Sequence, residues 1–183
     1  MNFKVTESEV VFRGRVFDLR VDQIEYTSGN KGVRETAVHP GGAVISAITP
    51  EEKIVLVRQF RYPLETYLFE LPAGKLEKGE DPLLCATREL TEETGYRAEK
   101  IVKLSAIPTA PGFCSEILHI YLATGLTPGE HAREEGEQGM EVFEYTIPEI
   151  EEKILSGQIT DSKTIAGVYL TKLYLEKNKQ TNA

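Results

Sequence analysis

Cysteine is scarce, basic tracts are missing and no apolar run is longer than a strand. Two cysteines, Cys85 and Cys114, cannot staple a chain of 183 residues, and they show no zinc spacing. A disulfide scaffold and a zinc module are therefore excluded, and a reducing compartment is expected. Lysine and arginine number 21 against 29 aspartates and glutamates, for a net charge of -8. With no basic tract and a pI of about 5.1, nucleic acid and anionic membranes are poor partners. Nothing reads as a signal peptide or a membrane span, so a cytoplasmic location is the expectation. No internal repeat is evident. What is present is 40% hydrophobic content, enough for one real core with a small appended element.

The most informative stretch is residues 74–96, GKLEKGEDPLLCATRELTEETGY. Asp81 is placed to cap a helix and Pro82 suits its first turn, while Gly95 ends it. Leu83, Ala86, Leu90 and Thr94 are expected to share one face, with Cys85, Glu89, Glu92 and Glu93 largely opposite. Glu89 and Glu93 are four apart and stack, which is repulsive in an isolated helix; Arg88 and Glu92, also four apart, can pair. A divalent cation would relieve the repulsion, and hard oxygen donors with room for water suit Mg²⁺ or Mn²⁺ beside phosphates. The plain alternative is an exposed acidic helix face.

Gly74, Glu80, Arg88, Glu89, Glu92, Glu93 and Gly95 stand at fixed offsets, with Leu90 and Tyr96 at hydrophobic positions. The pattern resembles the signature of the Nudix hydrolases. Seven fixed positions match by chance at one start about once in 10⁸. The resemblance implies an α/β/α sandwich around a mixed sheet and hydrolysis of a nucleoside diphosphate linked to another moiety. It also implies metal held by the Ala73 carbonyl, Glu89, Glu93 and Glu92. Arg88 would orient the cluster, and Glu80 would lie near it in support of Arg88.

Residues 1–40 read as a small antiparallel sheet ahead of a catalytic domain, 41–183. A strand-like run begins at Val10. Residues 15–21 and 23–27 continue it, residues 28–32 form a turn, and 33–39 return. Alone, this sheet has too little apolar mass to bury both faces, so it must pack on the main domain or on a partner subunit. Further on, residues 43–49, 53–59, 67–71, 101–107, 116–123 and 141–146 read as strands. Pro72-Ala73-Gly74 reads as a turn. Residues 148–156 read as a short helix, and Asp161 caps a final helix to about Lys177, with 178–183 expected to fray.

This layout resembles the ADP-ribose pyrophosphatase branch of the family, whose N-terminal sheet builds a homodimer and touches substrate. On that resemblance Phe17 and Arg34 are substrate contacts; otherwise they are an apolar packing residue and a surface arginine. Residues 58–62, RQFRY, resemble another branch element and offer Arg58 or Arg61 for bidentate phosphate contact. Glu70 matches a carboxylate near substrate. The loop 108–116 resembles the branch's proline-glycine element, with Ala110 where serine is usual, and Glu116 corresponds to a ribose-contacting glutamate. The polar connection 124–139 would carry the general base. The ungapped match lands on Gln138, a neutral amide, so Glu137 is assigned as base with Glu135 in reserve. ADP-ribose is the expected substrate, with GDP-mannose or broader nucleotide-sugar use as the alternative. A nucleotide-sensing module without activity is the rival of another class, and the intact carboxylates oppose it.

Overall fold

The computed structural model describes residues 2–131 and 139–181. The chain packs as two compact units, Met1–Gly41 with Pro108–Ile117, and Gly42–Ile107 with Leu118–Ala183.

The first unit is built on three antiparallel strands in the order β1 (Phe3–Arg13), β2 (Asp18–Tyr26) and β3 (Lys31–Val38). β1 starts seven residues earlier than its apolar pattern suggests. FKVTESE has little alternation, and pairing with β2 makes it a strand, Phe3 opposite Tyr26 and Val5 opposite Ile24. Residues 15–17, expected in a strand, instead lie in the connection to β2. Only the middle strand buries side chains well, Ile24 at 1% and Asp22 at 8% exposure. The Pro108–Ile117 segment is tied to the end of β3. Ala37 N–H donates to the Phe113 carbonyl at 2.8 Å and Ser115 N–H to the Ala37 carbonyl at 3.0 Å.

The second unit holds two sheets. One is antiparallel, in the order β10 (Glu141–Thr146), β5 (Lys53–Arg61) and β6 (Thr66–Glu70). The other runs β7 (Ala73–Lys75), β4 (Gly42–Ala47), β9 (Ile117–Thr127), β8 (Arg97–Pro108), and is mixed because β4 and β9 are parallel. Alternation along the strands divides the core into two layers. Ala43, Ile45 and Ala47 of β4 join Val55, Tyr121 and Ala123 against Cys85, Ala86 and Leu90 of helix α1 (Pro82–Thr94). Val44, Ile54, Leu56, Leu118 and Ile120 point the other way. They pack with Ile150 of α2 (Ile147–Leu155) and Val168 of α3 (Ser162–Thr181). Strands between helix layers are the α/β/α arrangement expected from sequence. Each fully buried leucine or isoleucine contributes about 1.5–3 kcal/mol.

α1 begins where expected, the Asp81 side chain accepting from Leu83 N–H at 2.8 Å. It ends at Gly95, whose φ of 79° is left-handed and whose N–H reaches the Thr91 carbonyl at 2.9 Å. The expected division of its faces needs correction. Leu83 is 40% exposed, while Cys85 is fully buried. The helix docks with residues 85, 86, 89, 90 and 93 inward, so the buried stripe runs one position away from the leucine and includes two carboxylates. α3 also runs further than expected, to Thr181, since no glycine or proline interrupts residues 168–181.

Candidate active site

Pro72-Ala73-Gly74 does not form the expected turn: Ala73–Lys75 is the short strand β7. Val44 lies opposite Ala73 and Ala43 opposite Gly74. Pro72 has no N–H to give, yet its carbonyl accepts from Ile45 N–H at 2.9 Å, which carries the pairing onward. This edge lies against α1. Ala73 N–H donates to Glu93 Oε2 at 3.2 Å. A Cβ built on Gly74 would fall 1.6 Å from Glu89 Oε1. The glutamate therefore fills the space that only glycine leaves open.

Glu89 and Glu93 are 6% and 2% exposed. Ionised carboxylates buried to that degree require cationic or hydrogen-bonding company. Arg88 supplies part of it. Its Nη1 donates to Glu89 Oε1 at 2.7 Å and to Glu92 Oε2 at 2.9 Å, while Nε reaches Glu80 Oε1 at 3.2 Å. The Glu80 hydrogen bond, then the neighbouring carboxylates, hold the Arg88 guanidinium well above its ordinary pKa. In return, Arg88 holds the Glu80 carboxyl below the usual range. Burial, reinforced by Glu80 and Glu89, pushes the Cys85 thiol up to about 12, so it stays protonated and inert.

Among the described residues no group of three or more His, Cys, Asp and Glu is arranged as a finished metal cage. Glu80, Glu89 and Glu92 are turned to the guanidinium, and Glu93 accepts from the Ala73 backbone. Their chemistry nonetheless suits a hard divalent cation: oxygen donors alone, two of them buried, beside a glycine that admits Glu89 to the backbone.

A second charged group lies at the end of β6. Glu70, 1% exposed, accepts from Arg61 Nε at 2.7 Å and Nη2 at 2.5 Å, a bidentate pair. Lys163 Nζ also donates to Glu70 and reaches Asp161 Oδ2 at 3.0 Å. Asp161 Oδ2 accepts from Thr164 N–H at 3.0 Å and from its hydroxyl at 2.6 Å. The same hydroxyl accepts from Leu71 N–H at 2.8 Å. Burial pushes the Glu70 carboxyl up, but the Arg61 hydrogen bonds and the Lys163 charge outweigh it and hold it below the usual carboxylate range.

Arg58 is engaged differently: Nη1 donates to Glu141 Oε2 at 2.8 Å and the guanidinium lies 4.5 Å from the Tyr67 ring centroid. Phe17, Arg34 and Glu116 belong to the first unit. Phe17 is 42% exposed. Arg34 donates to the Tyr26 hydroxyl at 2.6 Å, and Glu116 lies 3.3 Å from His39 Nδ1. The loop glutamates assigned to the base, Glu135 and Glu137, lie outside the described residues, as do Glu134 and Gln138.

Sequence reasoning missed Lys163 and Thr164 altogether and took Asp161 only as a helix cap. The cap signal is local; the lysine's link to Glu70 carries no local signal, because that carboxylate is 93 positions away.

The NUDIX domain model matches residues 39–165. The chain belongs to that family. It is 43% identical over 171 residues to an ADP-ribose pyrophosphatase of Bacillus subtilis (strain 168), covering 93% of this chain and 92% of that one. It is 44% identical over 171 residues to a methanol dehydrogenase activator of Bacillus methanolicus, with the same coverage. A solved structure described as the crystal structure of an ADP compounds hydrolase has the same fold, with a TM-score of 0.86. It shares 21% identity and covers 97% of this chain and 96% of that chain.

Proposed function

We propose that this Nudix protein hydrolyses the diphosphate of nucleoside diphosphate sugars, ADP-ribose first, giving AMP and ribose 5-phosphate. The observation that carries this reading is the α1 cluster. Buried Glu89 and Glu93 meet the β7 edge at Ala73 and Gly74, with Arg88 aligning Glu80, Glu89 and Glu92. The ADP-ribose pyrophosphatase relatives, including one of Mycobacterium tuberculosis at 39% identity over 169 residues, support the choice of substrate. A second reading, GDP-mannose, is favoured by a GDP-mannose pyrophosphatase of Cronobacter sakazakii, 31% identical over 170 residues and covering 88% of this chain.

Glu89, Glu93, Glu92 and the Ala73 carbonyl would hold Mg²⁺ or Mn²⁺. A bound ion would neutralise diphosphate charge and favour attack by water in line at phosphorus. Arg88 keeps the carboxylates aligned. Arg61 or Arg58 takes diphosphate oxygens, Glu70 orients Arg61, and Glu137 takes the proton of the attacking water, with Glu135 as the alternative; both follow β9, which runs to Thr127 and not to 123 as the sequence suggests. Residues 1–40 serve dimerisation and substrate contact through Phe17 and Arg34, with Glu116 on the ribose, and 41–183 carry the catalysis. Val5, Val11, Phe12, Val16 and Val33 are about half exposed or more, which favours a homodimer built on this sheet. Its free cysteines support a cytoplasmic location, and the acidic charge speaks against nucleic acid or membrane partners.

The test is a panel of ADP-ribose, GDP-mannose and other nucleoside diphosphate sugars with Mg²⁺ or Mn²⁺, products identified by mass spectrometry. AMP and ribose 5-phosphate from ADP-ribose, at the highest kcat/KM of the panel, is the expected result. Preference for GDP-mannose selects the second reading, and no turnover on any member overturns both. Light scattering should give a dimer at micromolar concentration; a monomer would remove the interface assigned to this sheet.

A further inference from the structure

Glu70 sits at the end of β6, three positions before Ala73, and its carboxylate is closed to water. Arg61 approaches it along the Nε–Nη2 edge. Nη1 has no hydrogen-bond partner among the described residues, and the arginine side chain is 38% exposed. The Glu70 pair therefore sets the plane of the guanidinium while leaving donors for an oxyanion. Glu70 Oε2 is in turn shared with Lys163, itself only 13% exposed and held by Asp161. Asp161 is locked by the first turn of α3, and Thr164 clasps the Leu71 backbone.

We propose that Lys163 is a positioning residue for substrate binding: anchored by Asp161, it holds the Glu70 carboxylate, and through it the Arg61 guanidinium, in place for the substrate's diphosphate. Without Lys163, a desolvated carboxylate has Arg61 as its sole remaining cation in this cluster. Oε2 loses one of its two donors, the carboxylate is free to turn, and the guanidinium paired to it no longer presents Nη1 in a fixed direction to the oxyanion. A role confined to anchoring α3 is already filled by the Thr164 bond to Leu71 and the Asp161 cap. Lys163 reaches past both to the carboxylate that faces Arg61.

This inference rests on the proposed diphosphate substrate, and steady-state kinetics with ADP-ribose at saturating Mg²⁺ test it. Lys163→Met should raise KM about tenfold while kcat changes less than about threefold, the pattern of a lost binding contact. Lys163→Arg should restore most of the KM. In an Arg61→Met background, adding Lys163→Met should change KM by less than about twofold, because the two act through one contact. An unchanged KM in Lys163→Met, or an equal further loss in the Arg61→Met background, overturns the proposal. Should Lys163→Met not fold, Lys163→Gln carries the same comparison. Calorimetric binding of ADP separates this from the wider reading. Weaker ADP binding in the lysine variant supports the positioning role even if wild type turns over no panel sugar, and unaltered binding overturns it.

Discussion

Around α1 one guanidinium is shared by three carboxylates, Glu80, Glu89 and Glu92, with the buried Glu93 beside them. At the end of β6 one carboxylate, Glu70, is shared by two cations, Arg61 and Lys163. The two groups are charge inversions of each other within one compact unit. The first is rich in oxygen donors, Glu89 and Glu93 among them buried, and under the proposed function a further cation would improve it. The second is rich in donors whose outer edge is open at Arg61, and an anion improves it. A metal-dependent diphosphate hydrolase needs one of each: a place for the ion and a place for the phosphate charge that the ion does not cover.

The largest effect should come from the proton acceptor, and it decides whether the α1 carboxylates act alone. Glu137→Gln should cut turnover roughly 10²- to 10⁴-fold, the usual worth of a general base. KM and fold should be nearly unchanged, and the loss should shrink as pH rises and hydroxide becomes available. A pH–rate series on Glu134→Gln, Glu135→Gln and Glu137→Gln checks this. Full turnover in all three would move the base into the α1 cluster.

Next in size is the acidic group itself. Glu93→Gln should lower turnover by about 10²-fold, and chelation should abolish activity of the wild type. Normal rates after exhaustive chelation would break the contrast between a cation-seeking and an anion-seeking group.

Gly74→Ala sharpens the same comparison without touching a charge. Its Cβ would overlap the Glu89 carboxylate, 1.6 Å from Oε1 and 2.0 Å from Cδ. The glutamate must swing aside, so Mn²⁺ affinity, read by titration calorimetry, should fall about tenfold. Thermal stability should change little, since a flexible side chain is what moves. Unaltered affinity would remove Glu89 from the ion's donors.

The smallest effect concerns the Glu70 group and pH. Arg61 and Lys163 outweigh burial and hold its folded pKa below the usual carboxylate range, so its contribution is present above the unfolded value and is lost as pH falls through the folded one. Thermal midpoints should therefore drop as pH falls through the acidic range in which Glu70 takes up its proton, and in Glu70→Gln that part of the drop should vanish. An equally steep acid slope in the variant would show that Glu70 is not held ionised by Arg61 and Lys163.

The α1 group was legible because its geometry is local. Helical periodicity places Arg88 four residues from Glu92 and stacks Glu89 on Glu93, and Asp81, Pro82 and Gly95 mark the ends. A few i, i+4 offsets therefore stand in for three-dimensional neighbours. The same local rule misassigned Leu83 and Cys85, since the direction in which a helix docks depends on the sheet it meets. β7 reads as a turn in sequence because its pairing is with β4, some thirty residues earlier, and no composition signal marks that partner.

What the sequence determined by itself is the α1 carboxylate pattern with the caps that bound its helix, and through them the family. Both are short-range, set by the backbone's own geometry. The tertiary structure alone decided that Glu70 would be buried, that Arg61 rather than Arg58 would face it, and that Lys163 would close the pair from α3. Those contacts join residues up to 93 positions apart. They exist only because sheet and helix, once packed for apolar burial, bring charged groups together where water is excluded and partners become obligatory.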